Sequence, residues 1–306
     1  SIGLDTTKLG NGWGAGTWGR STWGSGAGSL AGQNLRLWAS DSWGEDLVAN
    51  LVDGKIYYWD ATNGLSTRMV ELSSVAGALN APTTVRKVLV SDVDRHVLCF
   101  GCNPVDSATF DPLLIRWANV DPDIGPQPEE WKPQITNTAG FIRVKEGSEI
   151  VTGHRTRQEV LIFTDISLST LQFLGTEEVF AIQEISDSIN IIGPKVVVEA
   201  NNVVYWMGAD KFFMYDGRVN TLPCTLKQYV FEDMNKENGF LNFAGLNSEF
   251  NEIIWFYCSS ESNSIDRYVI FNYEENIWYY GNLSRDAWAN PGTIKFPLAT
   301  FNGYVY

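Results

Sequence analysis

The chain has 306 residues, 44% of them hydrophobic, which suffices for a substantial core and excludes the disordered class. Its 36 acidic and 22 basic residues leave a net charge of −14. That argues against tight, sequence-independent gripping of nucleic acid, which needs clustered Lys and Arg to neutralise phosphates.

Aromatic residues at 13%, with 28 glycines and four methionines, favour strands and tight turns over helical bundles. The four cysteines, Cys99, Cys102, Cys224 and Cys258, are too few to staple a secreted scaffold of this size. Free, mostly buried thiols and assembly in a reducing cytosol are the expectation. No stretch approaches the roughly 18–20 apolar residues of a membrane helix. The start, Ser1-Ile2-Gly3-Leu4-Asp5, has neither a methionine nor the basic and apolar regions of a signal peptide. The end, Phe301 to Tyr306, breaks off inside an expected hairpin, so more chain is expected beyond Tyr306.

Residues 1–33 read as an extended arm. Trp-Gly pairs recur at Trp13, Trp18 and Trp23, a period that fits neither helix nor strand. Glycine at this density opposes a helix at about 1 kcal/mol each relative to alanine. Three exposed indoles would each forgo a few kcal/mol of burial, so they are expected to anchor the arm on a neighbouring surface.

Residues 34–306 read as one domain of repeated hairpins. Leu47 to Val52 and Lys55 to Asp60 flank Asp53-Gly54, a turn that favours positive φ at both central residues. Lys87–Val90 pairs with His96–Phe100, and Glu159–Thr164 with Ser169–Leu174. Lys195–Glu199 pairs with Val203–Met207 across Asn201-Asn202, and Lys211–Tyr215 follows. Glu252–Tyr257, Arg267–Asn272 and Asn276–Tyr280 complete the series. Thr225 to Asn238 is the one segment with helical character. Asp111 to Pro133 carries five prolines and is expected to be a long surface loop.

Ile56-Tyr57-Tyr58-Trp59-Asp60 resembles Phe212-Phe213-Met214-Tyr215-Asp216, at an offset of 156 residues. That distance divides into about four units of 39 or three of 52, near propeller periods of roughly 40–50 residues. The expected fold is therefore all-β, a β-propeller of antiparallel hairpins, with helix below about a tenth of the residues.

No constellation points to catalysis. His96, Cys99 and Cys102 have metal-like spacing, but His96 and Cys99, three apart in a strand, point to opposite faces. Further ligands would have to come from Cys224, Cys258 or His154. Asp92, Asp94, Asp106, Asp111, Asp121, Asp123, Glu129 and Glu130 are carboxylates without a sign of convergence on a cleft, as glycoside hydrolysis needs. Neither a Gly-x-Ser-x-Gly elbow nor a phosphate loop occurs. No enzyme activity, metal or cofactor is expected.

Several segments together resemble structural proteins of tailed bacteriophages. They are the Trp-Gly arm, Leu37–Leu47 with Gly54–Asp60, Val90–Val97 and Gln172–Gly175. Val204–Gly208 with Phe213–Arg218, and Asp266–Tyr273 with Trp278–Gly281, continue the series. The chain is similar to the tail nozzle, or the hub and DNA-stabilisation protein, of short-tailed phages. The resemblance implies a propeller-bearing homohexamer around a channel, contacting adaptor or portal on one side and fibre or needle proteins on the other. It places the protein in the virion tail, assembled in the host cytoplasm, in transient contact with DNA during genome retention and ejection. Asp92, Asp94, Asp121 and Asp123 are then candidates for an acidic channel lining or rim that DNA slides past. The rival expectations are a glycan-active propeller enzyme, a receptor-binding tail protein, and a head-closure connector.

Overall fold

The computed structural model describes residues 37–91, 95–120, 130–176, 178–291 and 296–306. Clustering of contacts divides the chain into 1–37 and 38–306, and the fold below is that of the second unit. Its first sheet comprises β1 (Trp38–Trp43), β2 (Asp46–Leu51), β3 (Ile56–Trp59) and β4 (Val70–Glu71). The second holds β5 (Val85–Val90), β6 (Val97–Cys102), β7 (Asp111–Trp117) and β8 (Gly140–Arg143). The third holds β9 (Ile150–Arg155), β10 (Val160–Thr164), β11 (Leu168–Phe173) and β12 (Phe180–Ser186). The fourth holds β13 (Val197–Ala200), β14 (Val203–Met207), β15 (Phe212–Tyr215) and β16 (Val219–Leu222). The fifth follows with β17 (Phe243–Asn247), β18 (Glu252–Tyr257), β19 (Arg267–Asn272) and β20 (Ile277–Asn282). The sixth has three strands, β21 (Ala287–Ala289), β22 (Leu298–Phe301) and β23 (Tyr304–Val305).

Every sheet is an antiparallel meander in sequence order. The six stand in a ring, the arrangement of a six-bladed β-propeller, and helix amounts to 8% of the described residues. First strands meet first strands: β1 approaches β5, β5 approaches β9, β13 approaches β17, and β17 approaches β21. These strands surround the axis, and the last strand of each sheet lies at the rim. The offset of 156 is thereby explained, because β3 and β15 are third strands of the first and fourth sheets, three blades apart. Of the two divisions of that offset, three units of 52 is the one that holds.

Strand alternation gives the inner sheets two apolar faces, and each of the five junctions from the first sheet to the sixth holds a buried apolar cluster. In β6, Val97 and Cys99 join the core with the first sheet, while Leu98 and Phe100 join the core with the third. In β14, Val204 and Trp206 face the third sheet, while Tyr205 and Met207 face the fifth. Between the fifth and sixth sheets lie Phe243, Ile254, Phe256 and Trp288.

Two turns decide register. Asn201 and Asn202 have φ of 50° and 66°, the two-residue hairpin expected between β13 and β14. In the Asp53-Gly54 turn only Asp53 has positive φ, at 55°. Gly54 is needed there for space: a Cβ on it would lie 3.1 Å from the Leu51 Cβ. The helical segment is α1 (Lys227–Asp233), followed by a 3-10 stretch over Lys236–Leu241.

One expectation fails. Asp111–Trp117 is a strand, not the start of a loop, and Leu113, Leu114, Ile115 and Trp117 are buried in it. Pro112 escapes the ladder because the register shifts between Phe100 and Cys102, where Gly101 takes φ of 56°. Residues 121–129, the centre of that expected loop, lie outside the described residues.

Candidate functional site

The arm anchors Trp13, Trp18 and Trp23 lie outside the described residues, as do Asp92, Asp94, Asp121 and Asp123. His96 sits against the rings of Phe173 and Phe180, at 5.7 and 5.1 Å between centroids, on the face toward the third sheet. Its Nε2 is 3.0 Å from the Thr138 hydroxyl. Cys99 belongs to the opposite face, so the two are split as strand alternation requires. Burial pushes the Cys102 and Cys258 thiols up to about 12 and Cys224 to about 11, which leaves all three protonated. Among the described residues no cluster of three His, Cys, Asp or Glu could hold a metal.

The polar groups that converge do so at the axis. Asn50 of β2 is fully buried and clamps the free edge of β5. Its Nδ2 donates to Val85 O at 3.0 Å and Arg86 O at 3.1 Å, and its Oδ1 accepts from Val88 N at 2.9 Å. Further along the same edge, Asp41 of β1 accepts from Val90 N at 2.8 Å. Arg155 of β9 reaches both Val90 O and Asp41, the latter at 3.1 Å. Three blades are thus tied where their first strands meet.

Lys87 of β5 is placed differently. Its Nζ donates to Gly153 O at 2.7 Å and the Thr152 hydroxyl at 2.9 Å, both on β9. Gly153 has no side chain because Phe100 fills that space, 2.8 Å from where a Cβ would stand. Neither acceptor of Lys87 carries charge. Burial lowers the Lys87 pKa to about 8, the Asp41 carboxylate opposes that shift, and the Lys195 ammonium adds to it. Lys195 stands just before β13, and burial lowers its pKa too. Among the described residues no acid pairs with Lys195.

His154 completes the group. Its register partner on β10 is Leu161, a residue of the core toward the fourth sheet, so the imidazole points into the junction between third and fourth sheets. Burial first, then the charges of Lys87 and Arg155, lower its pKa to about 3. The ring is neutral, and its Nε2 is sealed from solvent without a hydrogen-bond partner. Arg116 in the second sheet shows how the chain treats a purely structural buried cation. Its guanidinium meets the carbonyls of Asn103, Asn80 and Trp131 at 3.0, 2.6 and 3.0 Å.

The rim carries the other distinctive surface. Along β20, Ile277, Tyr279 and Tyr280 are exposed, and Tyr280 lies 4.5 Å from Tyr229 between ring centroids. Tyr304, Val305 and Tyr306 on the edge of the sixth sheet are about two-thirds exposed, at 69%, 66% and 59%. The sequence names these segments as strands, but not as rim.

No family model and no curated protein matches the chain. Solved structures do. The extracellular domain of a protein assigned as a one-component system, from B. thetaiotaomicron, is 10% identical, with a TM-score of 0.51 over 86% of this chain and 30% of that one. The computationally designed Ika8 protein is 11% identical, with a TM-score of 0.49 over 89% of this chain and 70% of its own. A protein assigned as exported, from Bacteroides fragilis, is 7% identical at 0.45, covering 85% and 78%. At this identity the first likeness concerns the fold alone.

Proposed function

We propose that this chain is a structural subunit of a bacteriophage tail, a propeller whose copies join rim to rim in a ring around the channel that retains and releases the genome. The observation that carries the reading is the apolar rim of the fifth and sixth sheets, Ile277, Tyr279, Tyr280, Tyr304 and Val305, at sheet edges with open backbone groups. Copies at −14 each repel one another, so faces that meet must be ones without charge. The propeller that the phage resemblance implies is the fold present here.

The genome channel in this reading is the space enclosed by the ring of subunits, not the propeller's own axis. A Lys87–Gly153 hydrogen bond ties the first strands of neighbouring blades beside that axis, whereas a DNA major groove alone is about 12 Å wide. Six copies form the ring, with adaptor or portal above and fibre or needle proteins below. The net negative charge keeps DNA from adhering in transit. Asp92, Asp94, Asp121 and Asp123 are the proposed acidic positions on the lining or its edge. Native mass spectrometry of the full chain tests the reading. A closed homo-oligomer that Tyr279→Asp with Val305→Asp reduces to monomers is expected, with circular dichroism unchanged. A wild-type chain that stays monomeric at all concentrations tested overturns it.

A further inference from the structure

A ring of identical copies needs two different surfaces on each copy. A patch that meets its own counterpart closes a pair, and only a patch that meets a different patch continues around a circle. The fifth and sixth sheets supply the first surface. Ile277 and Tyr279 of β20 share the face of Ile270, which packs toward the sixth sheet. Tyr304 and Tyr306, through Phe301 and Ala299, share the face of Trp288 toward the fifth. All four are exposed and line the outer mouth of the gap between those two sheets.

The edge strands of the other sheets locate the second surface. β12 and β16, which end the third and fourth sheets, expose no large apolar side chain. β4 and β8, which end the first and second, each expose one: Val70 at 48% and Phe141 at 60%. Both belong to the same gap. Val70 pairs with Tyr58, which packs on the core between the first and second sheets. Phe141 pairs with Arg116, and Arg143, two residues on, pairs with Leu114 of that same core. The outer mouth between the first and second sheets is therefore apolar too, with Val70 on one lip and Phe141 on the other.

Charge makes the two mouths complementary. Arg68 stands two residues before Val70 and Arg143 two after Phe141, both exposed. Arg143 is held by Asp111, but among the described residues no acid pairs with Arg68. At the other mouth Glu274 and Glu275 lead into Ile277, both exposed, and among the described residues no base pairs with Glu275. The base there, Arg285, lies over the Tyr306 ring at 5.0 Å. An apolar patch flanked by arginine on one copy suits an apolar patch flanked by glutamate on the next.

The angle between the mouths fits the count of copies. Six blades share a full circle, so two mouths separated by the sixth and first blades lie about 120° apart around the propeller axis. In a closed ring of six with propeller axes parallel to the ring axis, the two neighbours of any copy also subtend about 120°. Four copies would need about 90° and eight about 135°.

We propose that copies of this chain meet mouth to mouth: the gap between fifth and sixth sheets of one copy seats on the gap between first and second sheets of the next. Tyr279 and Tyr304 then meet Val70 and Phe141, and Glu275 faces Arg68. This pairing rests on the ring proposed above and supplies the second surface that such a ring requires. It turns the third and fourth sheets, whose edge strands expose polar residues, to the outside of the assembly.

Native mass spectrometry of the full chain and two variants tests the pairing, with circular dichroism to confirm that each variant folds. Val70→Asp with Phe141→Asp blocks one mouth and Tyr279→Asp with Tyr304→Asp the other, all at exposed side chains. The unaltered chain should form a ring of six, and each variant alone should be a monomer. Mixed in equal amounts, the variants should form one-to-one dimers and nothing larger, because each keeps the mouth that the other has lost. If Val70→Asp with Phe141→Asp still assembles, or the mixture stays monomeric, the pairing is overturned and the ring stands. An unaltered chain that is monomeric, or that closes with another count, overturns both.

Discussion

Between the fourth and fifth sheets the first strands meet backbone to backbone, whereas between the third and fourth they stand apart. In the closed junction Ala244 N donates to Lys195 O at 2.8 Å, and the Trp255 indole donates to Val196 O at 3.0 Å. Phe212, Phe271 and Trp278 crowd around, with Phe212 4.8 Å and Trp278 6.1 Å from Trp255 between centroids. The open junction has the same apolar body further out, where Phe163 meets Trp206 edge to face and Trp206 stacks on Phe213, but charged and polar groups at the axis. Lys195 gives its backbone carbonyl to the closed junction, while the residue itself is exposed. The propeller is therefore sealed by aromatic packing where stability is needed, and packing is given up where polar groups converge.

The largest effect should come from breaking the closed junction. Trp255→Ala removes a fully buried indole and its hydrogen bond, at a cost of about 3–5 kcal/mol in denaturant unfolding. A loss below about 1 kcal/mol would mean that the seam does not carry the fold.

The open junction should respond to pH instead. His154 is held neutral, with its pKa lowered to about 3, while an unfolded chain takes up a proton near 6.5. The unfolded state then binds more protons, so stability present above pH 6.5 is lost as pH falls toward 3. Between about pH 6.5 and 5, before most carboxylates titrate, the loss should be about 1–2 kcal/mol, and His154→Gln should abolish it. Lys87 has the same sign in another window. Its pKa of about 8 lies below the ordinary 10.5, so stability rises as pH climbs between those values. Lys87→Met should flatten that rise, as measured by urea unfolding across the same pH window.

The smallest effect belongs to the turn that ends β13. Asn202→Ala places a methyl side chain at φ of 66° and should cost about 1 kcal/mol, whereas Asn202→Gly should be close to neutral in thermal unfolding.

The hairpins were legible because each carries its own turn chemistry, as Asn201-Asn202 does, and because apolar runs of strand length bracket it. The 156-residue offset was legible as a multiple of a blade, since third strands of different sheets occupy equivalent places. The strand at Asp111–Trp117 was hidden by Pro112, whose tolerance depends on a bulge in a partner strand that the local sequence does not announce. The axial site was hidden for a different reason. Lys87 lies on β5, His154 on β9 and Lys195 just before β13, and only the assembly of the blades brings these segments to one axis. The one signal available was a Lys inside Val85-Arg86-Lys87-Val88-Leu89-Val90 and a His beside Gly153, polar residues in strands otherwise destined for the interior.

Assembly is the central claim, and imaging tests it most directly. Electron cryomicroscopy of intact virions carrying a label on this chain should show six labelled copies in a ring on the tail axis, touching along the fifth and sixth blades. A label at the particle periphery, in threefold clusters, or on the capsid would contradict the account.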